Sequence, residues 1–237
     1  MKIGIMQPYF FPYIGYFQLI NYVDKWIAFD DVQYINHGWI NRNRILHPNK
    51  GWQYIIMPLK KHLHTDKIKD IEVIDEYEWK EKILRQLEHY KKKATNYFGT
   101  IEIVNRALNN TDKCISKFNV NLIKEICSYL DIHTEISISS SYNFDYSNVN
   151  DSGEWALRIS EQMNAQEYIN PYGGIELFNK KKFIESNIKL KFMKPRQIIY
   201  NQKKIKFESD LSVIDVMMFN DREKIIEMLN EYEVLEK

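Results

Sequence analysis

The sequence predicts an α/β protein with an N-terminal Rossmann-like parallel sheet, a helical subdomain and a helical C-terminus. The chain opens with apolar strands at residues 2–6 and 25–29, separated by a turn and a helix. Such a strand–helix–strand unit favours parallel pairing. Helical and extended patterns then alternate along the 237 residues without a Gly/Ser-rich or Pro-rich linker. The length and the 44% apolar content suit one large domain, residues 1–237.

The middle of the chain is predicted to be rich in helices. Strands are expected at residues 51–59 and 68–74, the second because Ile71-Glu72-Val73 alternates apolar and polar side chains. Trp79, Ile83 and Leu87 recur at helical spacing, which predicts a helix over residues 76–94. Further helices are expected over residues 98–108 and from a Thr111 cap to about residue 130. Residues 76–130 are therefore expected to form a helix-rich subdomain.

The rest of the chain continues the alternation of strands and helices. Asp151 or Ser152 is expected to cap a helix, and Ser209 or Asp210 another. The strands are expected at residues 135–138, 168–170 and 189–193, and the helices at residues 152–164, 183–186, 211–219 and 222–235.

Charge, cysteines and hydropathy narrow the class of protein. The formal net charge of +1 argues against a dedicated nucleic-acid binder, which would carry a strongly basic face. Cys114 and Cys127 are too few for a disulfide framework or a zinc site, and no metal site is expected. No apolar run approaches the roughly 18 residues that a membrane span needs. A cytoplasmic location is expected.

Residues 6–17, called here the aromatic turn, carry six aromatic side chains, two prolines and Gly15 directly after the first strand. The prolines stiffen the chain and the glycine permits close approach to the backbone. Rigid aromatic walls beside a helix start are typical of a ligand pocket, although an apolar core could use the same residues. The candidate ligand contacts are the amide of Gln7 and the rings of Tyr9, Tyr13 and Tyr16.

Asp30 and Asp31 end the second strand, and ligands of open α/β sheets bind at that edge. A polar run follows and offers further binding candidates. They are Gln33, Trp39, Asn41, Arg42, Asn43 and Arg44. In an extended segment the two asparagines point one way and the two arginines the other, and arginine suits bidentate binding of phosphate or carboxylate. An exposed hairpin is the structural alternative. His37, between the two groups, is placed to act as a general base.

Two later segments are weaker candidates for binding. Tyr172, Gly173 and Gly174 follow a strand and could let a ligand approach the backbone, although a tight turn explains them equally well. Asp215 lies among apolar residues, which predicts a partly buried and paired carboxylate.

Two families share parts of this pattern. The first strand and turn resemble the start of nucleotidyltransferase-type Rossmann domains, but Tyr13 and Tyr16 stand where those domains carry a His-x-Gly-His signature. Tyrosine cannot supply imidazolium charge to a transition state. The chain also resembles the WbqC-like family over its whole length. The residues that carry this resemblance are Met6-Gln7-Pro8-Tyr9-Phe10-Phe11-Pro12-Tyr13-Ile14-Gly15-Tyr16, Asp30-Asp31-Val32-Gln33-Tyr34, Gly38-Trp39-Ile40-Asn41-Arg42-Asn43, Asn170-Pro171-Tyr172-Gly173-Gly174 and Leu211-Ser212-Val213-Ile214-Asp215.

The WbqC-like resemblance implies a role in O-antigen, lipopolysaccharide or other bacterial surface-glycan biosynthesis. It is consistent with an enzyme that transfers an acyl or aminoacyl group to the amine of a nucleotide-linked amino sugar. The expected donor is carrier-bound or of the coenzyme A type, and an acyl or aminoacyl carrier protein is a possible partner. Asp30, Asp31 or His37 would accept the amine proton. A non-catalytic binder and a nucleotidyltransferase-like enzyme are the alternatives, and the oligomeric state is open.

Overall fold

The computed structural model describes residues 1–204 and 206–236 and has a mixed α/β fold. The strands of the described residues are β1 (Lys2–Met6), β2 (Lys25–Ala28), β3 (Arg42–Leu46), β4 (Trp52–Ile56), β5 (Glu135–Ile138), β6 (Glu167–Pro171), β7 (Lys189–Pro195) and β8 (Tyr232–Glu236). The α-helices are α1 (Ile14–Tyr22), α2 (Glu78–Leu87), α3 (Tyr97–Leu108), α4 (Ile115–Tyr129), α5 (Glu154–Gln162), α6 (Lys180–Glu185), α7 (Val213–Phe219) and α8 (Arg222–Met228).

The central sheet has the strand order β5-β2-β1-β6-β7-β8. Its first five strands are parallel, and β8 runs antiparallel to β7. β1 lies inside the sheet, where Ile3 pairs with Lys25 of β2 and with Tyr168 of β6. The predicted α/β class with a mostly parallel sheet is therefore confirmed. β3 and β4 form a separate antiparallel hairpin.

Helices cover both faces of the sheet, which explains why β1 and β2 are apolar on both sides. Ile3 and Ile5 pack on one face with residues of α5 and α6. Trp26 and Ala28 pack on the other face, in a larger cluster that includes residues of α1, α2, α3, α4 and α7. Because the helix-rich middle shares this cluster with the sheet, it is continuous with the main core. The separate subdomain stays a prediction.

The expected helix over residues 222–235 is wrong in its second half. α8 ends at Met228, and Tyr232–Glu236 forms strand β8 along β7, with Leu235 opposite Phe192. Pairing with a strand distant in sequence overrides the local helical pattern. The predicted C-terminal helices are otherwise confirmed as α7 and α8.

Other boundaries in the middle of the chain also differ from expectation. The expected strand at residues 68–74 is a 3-10 turn, Ile68–Asp70, followed by isolated bridges such as Leu59 to Val73. The helix expected from Thr111 begins at Ile115, and the helix expected over residues 76–94 is α2 followed by a 3-10 turn, Glu88–Lys92. No helix in the described part of the chain is long and apolar enough to span a membrane.

The sequence predicts the capping residue of α5 correctly but that of α7 incorrectly. Asp151 accepts hydrogen bonds from the amides of Gly153 and Glu154 at the start of α5, as expected. The cap of α7 is Ser212, whose hydroxyl accepts from the amide of Ile214, rather than Ser209 or Asp210.

Candidate functional site

A cavity of about 620 Å³ opens at the carboxyl edge of the sheet, beyond the ends of β1 and β7. Ligands of parallel α/β sheets bind at this edge. The aromatic turn forms one wall, the β3 strand another, and the segment after β7 the third. The lining residues are Tyr9, Tyr13, Ile14, Gly15, Trp39, Asn43, Arg44, Pro195, Arg196, Gln197, Ile198, Tyr200, Phe207, Ser209, Asp210, Leu211 and Val216.

Two buried asparagines hold the backbone of the aromatic turn. The Asn43 amide donates to the carbonyls of Phe10, at 3.0 Å, and Phe11, at 2.9 Å. The Asn119 amide donates to the carbonyls of Pro8, at 2.9 Å, and Ile40, at 2.7 Å. These bonds satisfy carbonyls that are shut off from water, where an unpaired acceptor would be costly. They also hold Phe11 at a φ of 42°, a conformation that bulky residues rarely adopt. Side chains of β3 and α4 therefore hold the backbone of the turn in place.

The tyrosines of the aromatic turn divide between the cavity and the core. Tyr9 and Tyr13 line the cavity, and burial raises the pKa of Tyr13 to about 12, with smaller contributions from Tyr9 and Asp210. Tyr16, expected in the pocket, is fully buried beneath them, and its hydroxyl donates to the Gln7 carbonyl at 2.6 Å. Tyr16 therefore supports the wall that Tyr9 forms.

Gly15 permits a close approach at the same wall. A Cβ atom at this position would lie 2.4 Å from Cε2 of Tyr13 and 3.0 Å from Cγ of Pro195. The first distance is too short for a Cβ atom and the second is unusually tight, so a side chain at residue 15 would displace the Tyr13 ring from its place in the cavity.

Arg44 is the most unusual side chain of the cavity. Its guanidinium lies 5.2 Å from the ring of Trp39 and 5.2 Å from the ring of Trp52, a cation–π arrangement on both. Its Nη2 donates to the carbonyl of Asp210 at 3.1 Å, and its Nε is buried without a hydrogen-bond partner. Within residues 1–204 and 206–236, no carboxylate forms an ion pair with Arg44. The cavity wall thus holds a positive charge that forms no ion pair with the described residues, although the Asp210 carboxylate lines the same cavity.

The neighbouring residues of β3 have structural contacts outside the cavity. The guanidinium of Arg42 stacks 4.3 Å from the ring of Tyr54 and donates to the carbonyls of Gly38 and His37. Asn41 accepts from the hydroxyl of Tyr34 at 2.8 Å. The strand alternates as the sequence predicts, since Asn43 is buried between the two half-exposed arginines.

Asp215 anchors the cavity wall that follows β7. It is fully buried in α7. The hydroxyls of Tyr90 and Tyr200 each lie 2.6 Å from one of its oxygens, and the Gln202 amide donates to it at 2.8 Å. The Tyr90 hydroxyl also accepts from the Leu46 amide of β3 at 2.9 Å. One carboxylate therefore ties together α7, the strand that carries Arg44 and the wall that carries Tyr200.

Asp30 and Asp31 form a separate polar cluster at the end of β2. Asp30 accepts from the hydroxyls of Ser139 and Ser140, both at 2.9 Å. Asp31 accepts from Lys69 at 2.9 Å and from Tyr146 at 3.0 Å. Burial acts to raise the pKa of Asp31, but these hydrogen bonds outweigh it and hold the pKa below its usual value. Neither carboxylate lines the cavity.

The remaining predicted residues also lie outside the cavity lining. Gln33 donates to the carbonyl of His64 at 2.7 Å, and His37 is exposed with a φ of 63°. Tyr172 lies beneath Lys194, with 5.2 Å between the ammonium and the ring. Gly173 and Gly174 follow β6, and Gly174 permits close approach of Asn170. The group of Gln7 that contacts the aromatic turn is its backbone carbonyl, which accepts from the Tyr16 hydroxyl, rather than the side-chain amide that the sequence suggested.

The sequence did not single out Asn119, Arg196, Tyr200 or Phe207. Asn119 carried a usable signal, because it is a polar residue on the buried face of the amphipathic helix α4. The other three belong to a segment without regular periodicity, which only the tertiary fold brings to the cavity.

The fold and cavity define a Rossmann-like α/β protein with a cavity lined by aromatic residues at the carboxyl edge of its sheet. The chain belongs to the WbqC-like protein family, whose sequence pattern matches residues 7–227. It is also 31% identical over 223 residues to a Mycobacterium tuberculosis protein named "Uncharacterized protein Rv1507c". That match covers 92% of this chain and 93% of the relative. No solved structure matches the chain.

Proposed function

We propose that the chain binds a nucleotide-linked amino sugar in this cavity and transfers an acyl or aminoacyl group to its amine, in bacterial surface-glycan biosynthesis. The observation that carries the proposal is the Arg44 guanidinium, which lies between Trp39 and Trp52 without an acidic partner. Arg44 is half-exposed on the cavity wall and has no ion-pair partner among the described residues, so it can meet an anion, and a diphosphate supplies one.

The other lining residues fit the same ligand. The cavity volume of about 620 Å³ lies within the range of small-molecule sites. The rings of Tyr9, Tyr13 and Phe207 offer flat apolar faces on which a base or sugar can stack. Arg196 and Gln197 add polar groups on the wall after β7, although Arg196 also approaches Glu231 and Glu233.

The proposed reaction forms an amide from an amine and a thioester. The sugar amine attacks the carbonyl carbon of the donor, the C–N bond forms and the C–S bond breaks. The amine proton passes to a base, and the donor leaves as a thiolate that takes up a proton. Asp30, Asp31 and His37 remain the predicted bases, and Asp210 is the one carboxylate among the described lining residues.

A non-catalytic binding protein is the second candidate. The observation that favours it is the position of Asp30, Asp31 and His37, none of which lines the cavity. Such a protein would present a nucleotide sugar to another enzyme.

The test combines binding with turnover. Isothermal titration with a panel of nucleotide-linked amino sugars should show binding to the wild type. Arg44→Gln should raise Kd by about tenfold or more, because it removes the charge that meets the diphosphate. Arg42→Gln is the matched control, since Arg42 stacks on Tyr54 and does not line the cavity, and it should keep the wild-type Kd. Failure of every nucleotide sugar to bind would overturn the proposal.

A measurement of turnover distinguishes the transferase from the binding protein. Release of free thiol from acyl or aminoacyl thioesters, together with the acylated sugar detected by mass spectrometry, identifies the transferase. Asp30→Asn, Asp31→Asn, His37→Gln and Asp210→Asn, made separately, then locate the base, because its loss abolishes turnover and keeps binding. Binding without turnover identifies the binding protein, and release of pyrophosphate from a nucleoside triphosphate would identify nucleotidyl transfer instead.

A further inference from the structure

A group of basic side chains borders the cavity on its outer side. We call it the basic patch and define it as His47, Lys50, Lys91, Lys92, Lys93, Lys203, Lys204 and Lys206. It comes from three segments, residues 47–50, 91–93 and 203–206, and none of these contains Asp or Glu.

Lys204 joins two of the segments, and Tyr90 brings the third beside them, because its hydroxyl accepts from the Leu46 amide and its carbonyl from the Lys93 amide. The Lys204 ammonium donates to the carbonyl of His47 at 2.5 Å and to that of Asn49 at 3.2 Å. Burial lowers the pKa of Lys204, and repulsion from Lys93 lowers it further. The same positive charges also act on His89. Burial lowers its pKa, and the charges of Lys204, His47 and Lys93 lower it further.

The side chains of the basic patch form no ion pairs with acidic side chains of the described residues. Ion pairs between described residues engage other lysines, such as Lys60 and Lys69, but none of the patch. The acids that act on Lys204 are Glu208 and Asp215, and Asp215 is buried behind the cavity wall. With a net charge of only +1 for the whole chain, this is a local concentration of positive charge.

The basic patch and the cavity share one segment. Tyr200 and Phe207 line the cavity, and Lys203, Lys204 and Lys206 lie between them in sequence. A molecule bound on the patch therefore lies beside the wall segment that carries Tyr200 and Phe207.

We propose that the basic patch docks an acidic carrier protein that delivers the acyl or aminoacyl thioester to the cavity. The inference rests on the proposed transfer function and names its donor. The six lysines and one histidine beyond Lys204 exceed what one terminal phosphate of a coenzyme A donor needs, and they suit the broad acidic face of a protein. Complementary charge of this kind steers association and fixes orientation. After transfer the carrier leaves as its free thiol.

The test uses the full chain and a holo acyl carrier protein, an acidic protein that bears phosphopantetheine. Isothermal titration measures Kd at low and high salt, and nuclear magnetic resonance maps the perturbed amides. The variant Lys91→Glu/Lys92→Glu/Lys93→Glu changes exposed side chains only, so its thermal unfolding should match the wild type. Its Kd for the carrier should rise about tenfold or more, and salt should weaken wild-type binding.

The matched control is Lys180→Glu/Lys181→Glu/Lys189→Glu, three exposed lysines at the start of α6 and of β7 that belong to neither the cavity nor the basic patch. This control should bind the carrier as the wild type does. Equal Kd values for the patch variant and the control would overturn the proposal, as would absence of carrier binding, or patch-dependent binding of RNA in its place. Equal transfer rates from a coenzyme A thioester and from the carrier, in both variants, would also overturn it.

Nucleotide-sugar binding is measured separately and keeps the two proposals distinct. If nucleotide sugars bind and the carrier does not, the docking proposal fails and the proposed function stands. If nucleotide sugars fail to bind, the proposed function fails, whatever the carrier does.

Discussion

The hydroxyl of Tyr200 lies 2.6 Å from Oδ2 of Asp215, so a ring of the cavity wall is fastened to a carboxylate buried in the helix behind it. The other oxygen of Asp215 accepts from Tyr90, which in turn accepts from the backbone of β3. The two sides of the cavity are thus held at a fixed separation by one side chain. The spacing of the walls is therefore set by the fold itself.

Removing the Tyr200 hydroxyl tests this anchor. Tyr200→Phe keeps the ring in the wall but loses the bond to Asp215, so the free energy of unfolding should fall by about 1–2 kcal/mol. Urea unfolding measures the change. Tyr77→Phe is the control, because Tyr77 is 61% exposed, and it should leave stability unchanged. Equal stability of Tyr200→Phe and the wild type would contradict the anchoring role.

The pH dependence of stability should report on Asp215. Burial raises its pKa above the ordinary 3.8, although Tyr200, Tyr90 and Gln202 act in the opposite direction. A carboxyl group with a higher pKa in the folded state stabilises the fold below the unfolded pKa, and this contribution is lost as pH rises through the folded pKa. The stability of the wild type relative to Asp215→Asn should therefore decline as pH rises from 3.8, then level off. Urea unfolding at a series of pH values measures it, and an increase over that window would refute the assignment.

Asn43 should be essential to the aromatic turn. Asn43→Ala leaves the carbonyls of Phe10 and Phe11 without their donor, so stability should fall by about 3 kcal/mol. Nucleotide-sugar affinity should fall as well, because the turn is no longer held. Thermal and urea unfolding, with Asn143→Ala at an exposed position as control, measure the cost. A loss of stability no greater than that of the control would show that the turn keeps its conformation without the Asn43 hydrogen bonds.

Gly15→Ala should weaken binding more than it weakens the fold. Alanine favours the helix by about 1 kcal/mol over glycine, but its Cβ overlaps the ring of Tyr13 and displaces it from the cavity. Isothermal titration should show a higher Kd for nucleotide sugars, while thermal unfolding changes little. Unchanged affinity would mean that the position of the Tyr13 ring is unimportant for the ligand.

Local pattern was enough to predict part of this structure. The βαβ start and the alternation of Asn43 with its arginine neighbours follow from short-range periodicity. Strand β8 was missed because its partner, β7, lies about forty residues earlier, and a short apolar run fits helix or strand equally well.

Local pattern was also insufficient to predict which residues line the cavity. Composition marks Tyr13 and Tyr16 alike, but only the packing of α1 against the sheet places one in the cavity and the other in the core. Arg42 and Arg44 are equally basic, and the two indoles around Arg44 come from a loop and from β4. Asp30 and Asp31 were placed correctly at the sheet edge, yet the cavity opens beyond β1 and β7 instead.

The position of β1 inside the sheet has a consequence for how the chain folds during synthesis. Lys2 pairs with Glu167, so β1 cannot complete its ladder until β6 has left the ribosome, more than 150 residues later. Contacts so distant in sequence slow folding, and an unpaired strand edge exposed meanwhile invites aggregation. The β1–α1–β2 unit must therefore persist as a partly formed nascent segment, and chaperone demand should be greatest before β6 emerges.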